Sequence, residues 1–440
     1  MTDQPANDPA SPAAPEKFTQ DQLDALVQLH QRFLEGRLGG RRAHLKNTDL
    51  SGLSLEKKDL RQASFTGCRM TGMNLAEVNF QEASLYACDL SNSDLHQAQF
   101  IRADLRGARI ENAHLRGANL EKADLRVGGL TQDNIYDTGQ VVNFRGANLS
   151  GAKMMGCIAA RADFSDAILV GANIAQADLR GARLEGADLS NAEIDGAQFA
   201  GANFRSAILT GVKLKTLQTQ NIDITTAITD DNVGLSVSDL KEPLPKLIEN
   251  HRLWVDSAGQ SGQQLDLSNV DMRLLKSLKM EKLTAIRALG AKFIGMNLYK
   301  VELQSAVLDG ADFRKCDMEQ ADLRGSSFKG ANLSHAKMAG VDCTPLLLGA
   351  GGSTKRFSPC DFEGAKLRYA DLPQAQLKGA SFRNADVSFA NFAGADLRDC
   401  DFTGAQMTGA IIEGAQIEGA KLGKIEKPVF TMRLKDEKSA

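Results

Sequence analysis

From Leu45 to Leu125, Phe144 to Leu214, Phe293 to Cys343 and Phe362 to Leu422, every fifth residue is apolar, mostly Leu, Phe, Ile or Met. Two positions earlier stands a small residue, usually Ala, and the position between is commonly Asp or Asn, as in Ala103-Asp104-Leu105-Arg106-Gly107. A period of five matches neither the 3.6 of a helix nor the 2 of a strand, so the chain is expected to turn a corner every five residues, four corners closing one coil. Residues twenty apart then stack at the inter-strand distance of about 4.8 Å. Phe144, Phe164, Leu184 and Phe204 should form one interior ladder, and Phe362, Phe382, Phe402 and Leu422 another. The small residue two before each centre suits a bore already filled by four large side chains, where a Leu would overpack it. Gly at the fifth position suits the corner, and Asp or Asn before the centre suits hydrogen bonding to neighbouring backbone.

Departures from the period mark the organisation. An amphipathic helix precedes the first coils, with Thr19 as N-cap, Gln22 completing a capping box, and Leu23, Leu26, Val27, His30, Phe33 and Leu34 on one side. The same spacing returns in the second half of the chain as Leu244, Leu247, Ile248, His251, Trp254 and Val255. The chain therefore reads as a duplication: a Pro-rich tail over 1–16, expected to be disordered; a cap helix within 17–42; coils over 43–214, interrupted at about 127–142; a linker and second cap helix over 215–264; coils over 265–422, interrupted at about 344–360; and a C-terminal segment, 423–440, whose alternating Phe430, Met432 and Leu434 suit a capping strand. Helices at the starts of the coils would cover edges that otherwise invite aggregation. At each interruption the interval between centres becomes nineteen, from Leu125 to Phe144 and from Cys343 to Phe362. Nineteen reads as one coil less one residue, which would stack Phe144 on Leu125. Between Met272 and Phe293 the interval is twenty-one, which predicts a bulge.

The repeated A(D/N)LxG unit resembles the pentapeptide repeat family over about three quarters of the chain. The resemblance implies an all-β repeat fold, a right-handed quadrilateral parallel β-helix in two blocks, each preceded here by a helix. It also implies no catalysis. Family members that confer quinolone resistance mimic duplex DNA with an acidic rod, which gives an alternative reading as an inhibitor or protector of a type II topoisomerase.

Charge weighs against that alternative. The chain has 52 Lys and Arg against 55 Asp and Glu, net -3. Ala43 to Leu214 carries 18 basic and 20 acidic residues and Leu265 to Leu422 carries 20 and 19, so neither block is polyanionic or polycationic, which also argues against nucleic acid as a partner. One basic ribbon is expected on the first face, where Lys46, Thr66, Tyr86, Arg106, Arg126 and Arg145 follow the centres. Ile101, Ile158, Ile168, Ile208 and Ile411 occupy outward positions, Ile168 and Ile208 on one face two coils apart.

The side chains that could carry chemistry are absorbed by the repeat. Of the 19 Phe, 14 are centres. Cys68, Cys88, Cys157, Cys316, Cys360 and Cys400 replace the small residue and Cys343 is itself a centre, so all seven should be buried, unpaired and kept reduced. His30 and His251 share one phase of the two helices, which points to a common packing or hydrogen-bonding role, while His44, His96, His114 and His335 fall on outward positions. No metalloprotease, phosphate-loop, paired CxxC or nucleophile-elbow motif is present. The sequence thus names no catalytic, cofactor-binding or metal-binding residue and implies no cofactor. Without a signal peptide or an apolar run of membrane-spanning length, the expected setting is the bacterial cytoplasm, with no membrane partner. The expected function is a non-catalytic scaffold or protein–protein interaction module with unidentified protein partners.

Overall fold

In a computed structural model of the chain, residues 16–128, 140–232, 234–348 and 356–423 are described. The chain divides into two compact units, Met1–Asn232 and Val233–Ala440. Each is a parallel β-helix with four faces. In the first unit, bridges join Asp49 to Arg69, Ser54 to Asn74, Asp59 to Asn79 and Ser64 to Ser84, each a step of twenty positions, one per face. The second unit repeats the pattern, as in Asp312 to Asn332 and Asp317 to Lys337.

Three hydrogen bonds explain why five residues make one side. The amide of a centre typically donates to the next coil, as Leu85 N to Asp104 O at 2.8 Å, and the amide of the Asp or Asn before it donates back, as Asp104 N to Ala83 O at 2.9 Å. The Asp or Asn side chain then accepts the amide two residues on, as Asp104 Oδ1 from Arg106 N at 3.2 Å and Asn148 Oδ1 from Ser150 N at 3.1 Å, which folds the chain at the corner. The corner residue sits in the left-handed region, Gly107 at φ 68°.

Centres and small residues fill the bore. All the Phe at centres are buried, and parallel rings stack down it: Phe144 on Phe164 at 4.9 Å and Phe382 on Phe402 at 4.7 Å between centroids. The expected ladders are therefore present, and the second extends to Phe328, which stacks on Phe362 at 5.1 Å. All seven Cys are free and buried.

The register at the interruptions differs from the sequence expectation. Arg109 pairs with Asn143 and Asp124 with Ile158, so the step between paired positions grows from twenty to thirty-four. The difference, fourteen, is inserted at one corner, and no coil is shortened by one. Leu125 therefore stacks below Ala159, and Phe144 stacks on Ile110. In the second unit Ser327 pairs with Asp361, the same enlarged step, so the insertion has the same length. The stem of the second insertion is an antiparallel pair, Leu346–Leu348 with Arg356–Ser358. That of the first is a single antiparallel bridge, Gly128 to Gln140; the polar loop expected there lies outside the described residues, as do the tails 1–15 and 424–440. The bulge before Phe293 is found: Asp271 pairs with Lys292, a step of twenty-one, whereas Ser277 pairs with Asn297, a step of twenty. The first β-helix also runs past Leu214, since Ile208 pairs with Ile228 after the short helix Lys215–Gln218.

Helix α1 (Gln20–Leu34) begins at Thr19 with the expected capping box. It buries Leu23, Val27 and His30 against the first coil. Its polar side chains meet the edge of that coil. Gln20 accepts from Ser54 N at 2.9 Å and donates to Ser54 O at 3.0 Å. His30 Nδ1 accepts from Ala43 N at 3.0 Å while Nε2 lies 3.1 Å from Arg61 O. Residues Glu16–Lys17 pair with Thr48–Asp49 on another face. In the second unit the helix Leu244–Asp256 repeats this with His251, whose Nδ1 accepts from Leu265 N at 3.1 Å, and Leu235–Ser236 pair with Val270–Asp271. His251 Nε2 faces the Thr284 carbonyl without reaching hydrogen-bond geometry. The shared role expected for the two His is a hydrogen bond to the first strand.

Candidate interaction surface

Acid and base cancel along the faces before any partner is met. Where Asp precedes a centre and Arg follows it, the guanidinium folds back onto the carboxylate: Arg61–Asp59, Arg106–Asp104, Arg126–Asp124 and Arg180–Asp178 in the first unit, Arg273–Asp271, Arg314–Asp312, Arg324–Asp322 and Arg398–Asp396 in the second, at 2.5–2.8 Å. The Arg180 guanidinium holds the Asp178 carboxyl below its ordinary range, and Arg398 does the same for Asp396. The two Arg of the expected basic ribbon on this face, Arg106 and Arg126, are thus ion-paired, with Arg106 also lying 5.3 Å from the Tyr86 ring. The ribbon is also one residue shorter than expected. Arg145 sits on the second face because of the insertion, where it pairs with Asp163 at 3.0 Å. Of the outward isoleucines, Ile158 and Ile411 are exposed, whereas Ile208 is buried.

Among the described residues, no three His, Cys, Asp or Glu converge to hold a metal ion. Burial pushes the thiols of Cys157 and Cys400 up to about 12, so they stay protonated and unreactive. A groove of about 240 Å³ lies between the end of α1 and the first coils, lined by Phe33, Leu34, Arg61, Gln62, Gln81 and Glu82, and its charged groups are engaged: Arg61 with Asp59, Glu82 with Arg102. No helix among the described residues is long and apolar enough to cross a membrane.

One surface row stands out by chemistry. At the corner after the second face of the second unit, the left-handed position is held by Lys315, His335, Tyr369 and Phe389, at φ 57–61°. The rings stack face to face: His335 on Tyr369 at 5.1 Å and 11°, Tyr369 on Phe389 at 4.9 Å and 5°. Gly409 ends the row; a Cβ there would come within 2.6 Å of the Phe389 ring. The Arg368 guanidinium lies 5.8 Å from both the Tyr369 and Phe389 rings and pairs with Asp386 at 2.8 Å. Burial raises the Asp386 carboxyl, but Arg368 and Ser388 outweigh it and hold the group below its ordinary range. All three rings are half-buried. Because their faces are spent on each other, what they offer outward is edges, which suit side-chain contact better than base stacking.

Two stacked pairs contribute about 1–3 kcal/mol. The three non-glycine residues in the left-handed region cost about 1–2 kcal/mol each, a strain shared with many other corners, such as Lys57, Gln97 and Gln320, so it is the stacking of rings that sets this row apart. Tyr369 and Phe389 stand twenty apart in the sequence, but only when the inserted segment is subtracted does His335 fall on the same corner.

A profile of pentapeptide repeat regions matches residues 41–120, and a profile of eight pentapeptide repeat copies matches 172–211, 289–325, 306–342, 360–399 and 388–423. No curated protein matches the chain. Among solved structures, HetL, a pentapeptide repeat protein involved in heterocyst differentiation regulation from the cyanobacterium Nostoc sp. strain PCC 7120, is 18% identical, with 89% of this chain and 93% of that one covered and a TM-score of 0.16. Rfr23 from the cyanobacterium Cyanothece 51142 is 31% identical over 28% of this chain and 88% of its own, at a TM-score of 0.18. QnrB1, a plasmid-mediated fluoroquinolone resistance protein, is 20% identical over 43% of this chain and 92% of its own, at 0.25. TM-scores this low leave the function of this chain to its own surface.

Proposed function

We propose, from the premise that this chain belongs to the pentapeptide repeat family and is built as its right-handed β-helix, that it is a non-catalytic binding module for protein partners. The observation that carries this reading is the aromatic row His335–Tyr369–Phe389 with Arg368, a half-exposed run of stacked rings where other corners hold mostly Gly or polar residues. Aromatic rings and Arg are the residues that anchor protein interfaces. On this reading, the helices that meet the first coils act as caps, leaving faces and insertions as the working surface. The topoisomerase alternative would need a continuous ribbon of unpaired carboxylates, and the Asp–Arg pairs on both units supply no such ribbon.

The test replaces Tyr369 and Phe389 together with Gly, which keeps the corner conformation and removes the rings. Affinity purification with the full-length chain and with this variant, followed by mass spectrometry, should show one set of proteins lost from the variant. Recovery of the same set with both would overturn the reading.

A further inference from the structure

The first coil of the second unit carries the one extra residue, and its surface departs from the acid–base cancellation found on the other faces. The step is twenty-one from Asp271 to Lys292 and twenty again from Ser277 to Asn297, so the extra residue is taken up between Asp271 and Ser277. The corners on either side of that stretch hold Leu274 and Met280, 68% and 64% exposed, the two most exposed large apolar side chains on the coils among the described residues. They bracket one side of the coil, about 16 Å long. Between and beside them stand Lys276, Lys279 and Lys282, all exposed. Exposed Lys300 lies at the corner one coil above, next to Tyr299, whose carbonyl accepts from Met280 N at 2.9 Å. Among the described residues no ion pair reaches these four ammonium groups. Glu281, the carboxylate between Met280 and Lys282, is held by Arg252, and Glu302 stands one coil above Lys282.

We propose that this side of the second unit docks on an anionic lipid surface. Unpaired Lys beside projecting apolar side chains is the combination that such a surface recognises: the ammonium groups meet the headgroups, and Leu274 and Met280 enter the boundary with the acyl chains. Both apolar groups stand at corners, where they project, and line no groove for a peptide. Lys is depleted in protein interfaces, which are anchored by Arg and aromatic rings. The ring within the patch, Tyr299, has the Lys300 ammonium 5.2 Å from its centroid, so that face is taken and does not serve to stack a nucleobase. The expectation of no membrane partner rested on the lack of a spanning segment, which contact at the surface does not need. This docking goes beyond the protein-binding reading and does not depend on the aromatic row.

Sedimentation of the full-length chain with sucrose-loaded vesicles tests it, one set of phosphatidylserine and phosphatidylcholine in a one-to-three ratio, the other of phosphatidylcholine alone. The chain should pellet with the first set only and be released at about 0.5 M salt, where charges are screened within a few ångströms. Replacing Lys276, Lys279 and Lys282 together with Gln should weaken binding by about a hundredfold, about fivefold for each Lys. Leu274→Ser with Met280→Asn should weaken it by about tenfold or more and leave it salt-sensitive; Asn suits the corner, where Met280 has φ 60°. All five side chains are exposed, and unchanged melting curves show that both variants are folded. The variant with Gly at Tyr369 and Phe389 should pellet as the unmodified chain does. Failure to pellet with the anionic vesicles, equal pelleting with both sets, or full binding by either patch variant would overturn the proposal. Retention by immobilised polyglutamate without binding to vesicles would overturn it in favour of an acidic protein.

Discussion

Gly107 and Gly325 do the same work in the two units. Each sits at the corner one coil below an insertion, and the first residues of the stem lie on it: a Cβ on Gly107 would come within 2.7 Å of the Gly128 carbonyl oxygen, and one on Gly325 within 2.8 Å of Leu346 Cβ. Gly330 has a similar φ, 63° against 68°, but open space around it. Gly330→Ala should therefore cost only the left-handed strain, about 1–2 kcal/mol. Gly325→Ala should cost about 1–3 kcal/mol more through overpacking and should accelerate proteolysis at the stem. Chemical denaturation of both variants checks the difference. The sequence shows Gly at many corners but not which of them an insertion leans on. His30 makes a second prediction. Its Nδ1 accepts the Ala43 amide, so the ring is neutral, and burial lowers its pKa below the ordinary value of 6.5. A lowered His pKa means the unfolded chain takes the proton more readily. This contribution to stability is full above about pH 6.5 and is lost as pH falls from there through the folded value. Melting between about pH 8 and pH 5 should show that loss, and His30→Gln should flatten it.

Ion pairs along the faces differ by burial, not by geometry. Arg314 and Asp312 have side chains 5% and 7% exposed, while Arg180 beside Asp178 is 58% exposed. Removing one partner of the buried pair strands a charge, and Asp312→Ala should destabilise by about 3–5 kcal/mol. Arg180→Ala should cost under about 1 kcal/mol, because the surface pair is screened and the corner hydrogen bond from the amide of residue 180 to Asp178 is kept. Urea unfolding of the two variants separates the cases. The Asp-Leu-Arg triplets are legible as letters, yet following Arg alone along a face suggests a basic ribbon, because the acid two residues back that cancels each charge is left out. The helices are easier to read, their stripes and the Thr19–Gln22 box being local signals. The aromatic row is legible only in part: Tyr369 and Phe389 stand twenty apart, but His335 joins them across an insertion, and an interval of nineteen between centres fits a shortened coil as readily as five plus fourteen.

Each unit owns a separate apolar core, one running from Leu23 to Ala227, the other from Leu244 to Met407. Phe382 lies inside the second, stacked between Phe362 and Phe402. Phe382→Ala should remove about 3–5 kcal/mol from that unit. Calorimetry should show its melting lowered, with the melting of the first unit unchanged. The five-residue rhythm makes this architecture readable because the bore admits no other period. What it conceals are the places where length changes, and these share a location. The two long insertions and the single extra residue between Asp271 and Ser277 all leave and re-enter between faces, never within one. A residue added inside a face would swing every later side chain out of the bore, while one added at a turn is absorbed there. Such turns amount to graft points: a foreign epitope of arbitrary length could be spliced beside Gly128 or Leu347, and the stacked rungs above and below would never register the cargo.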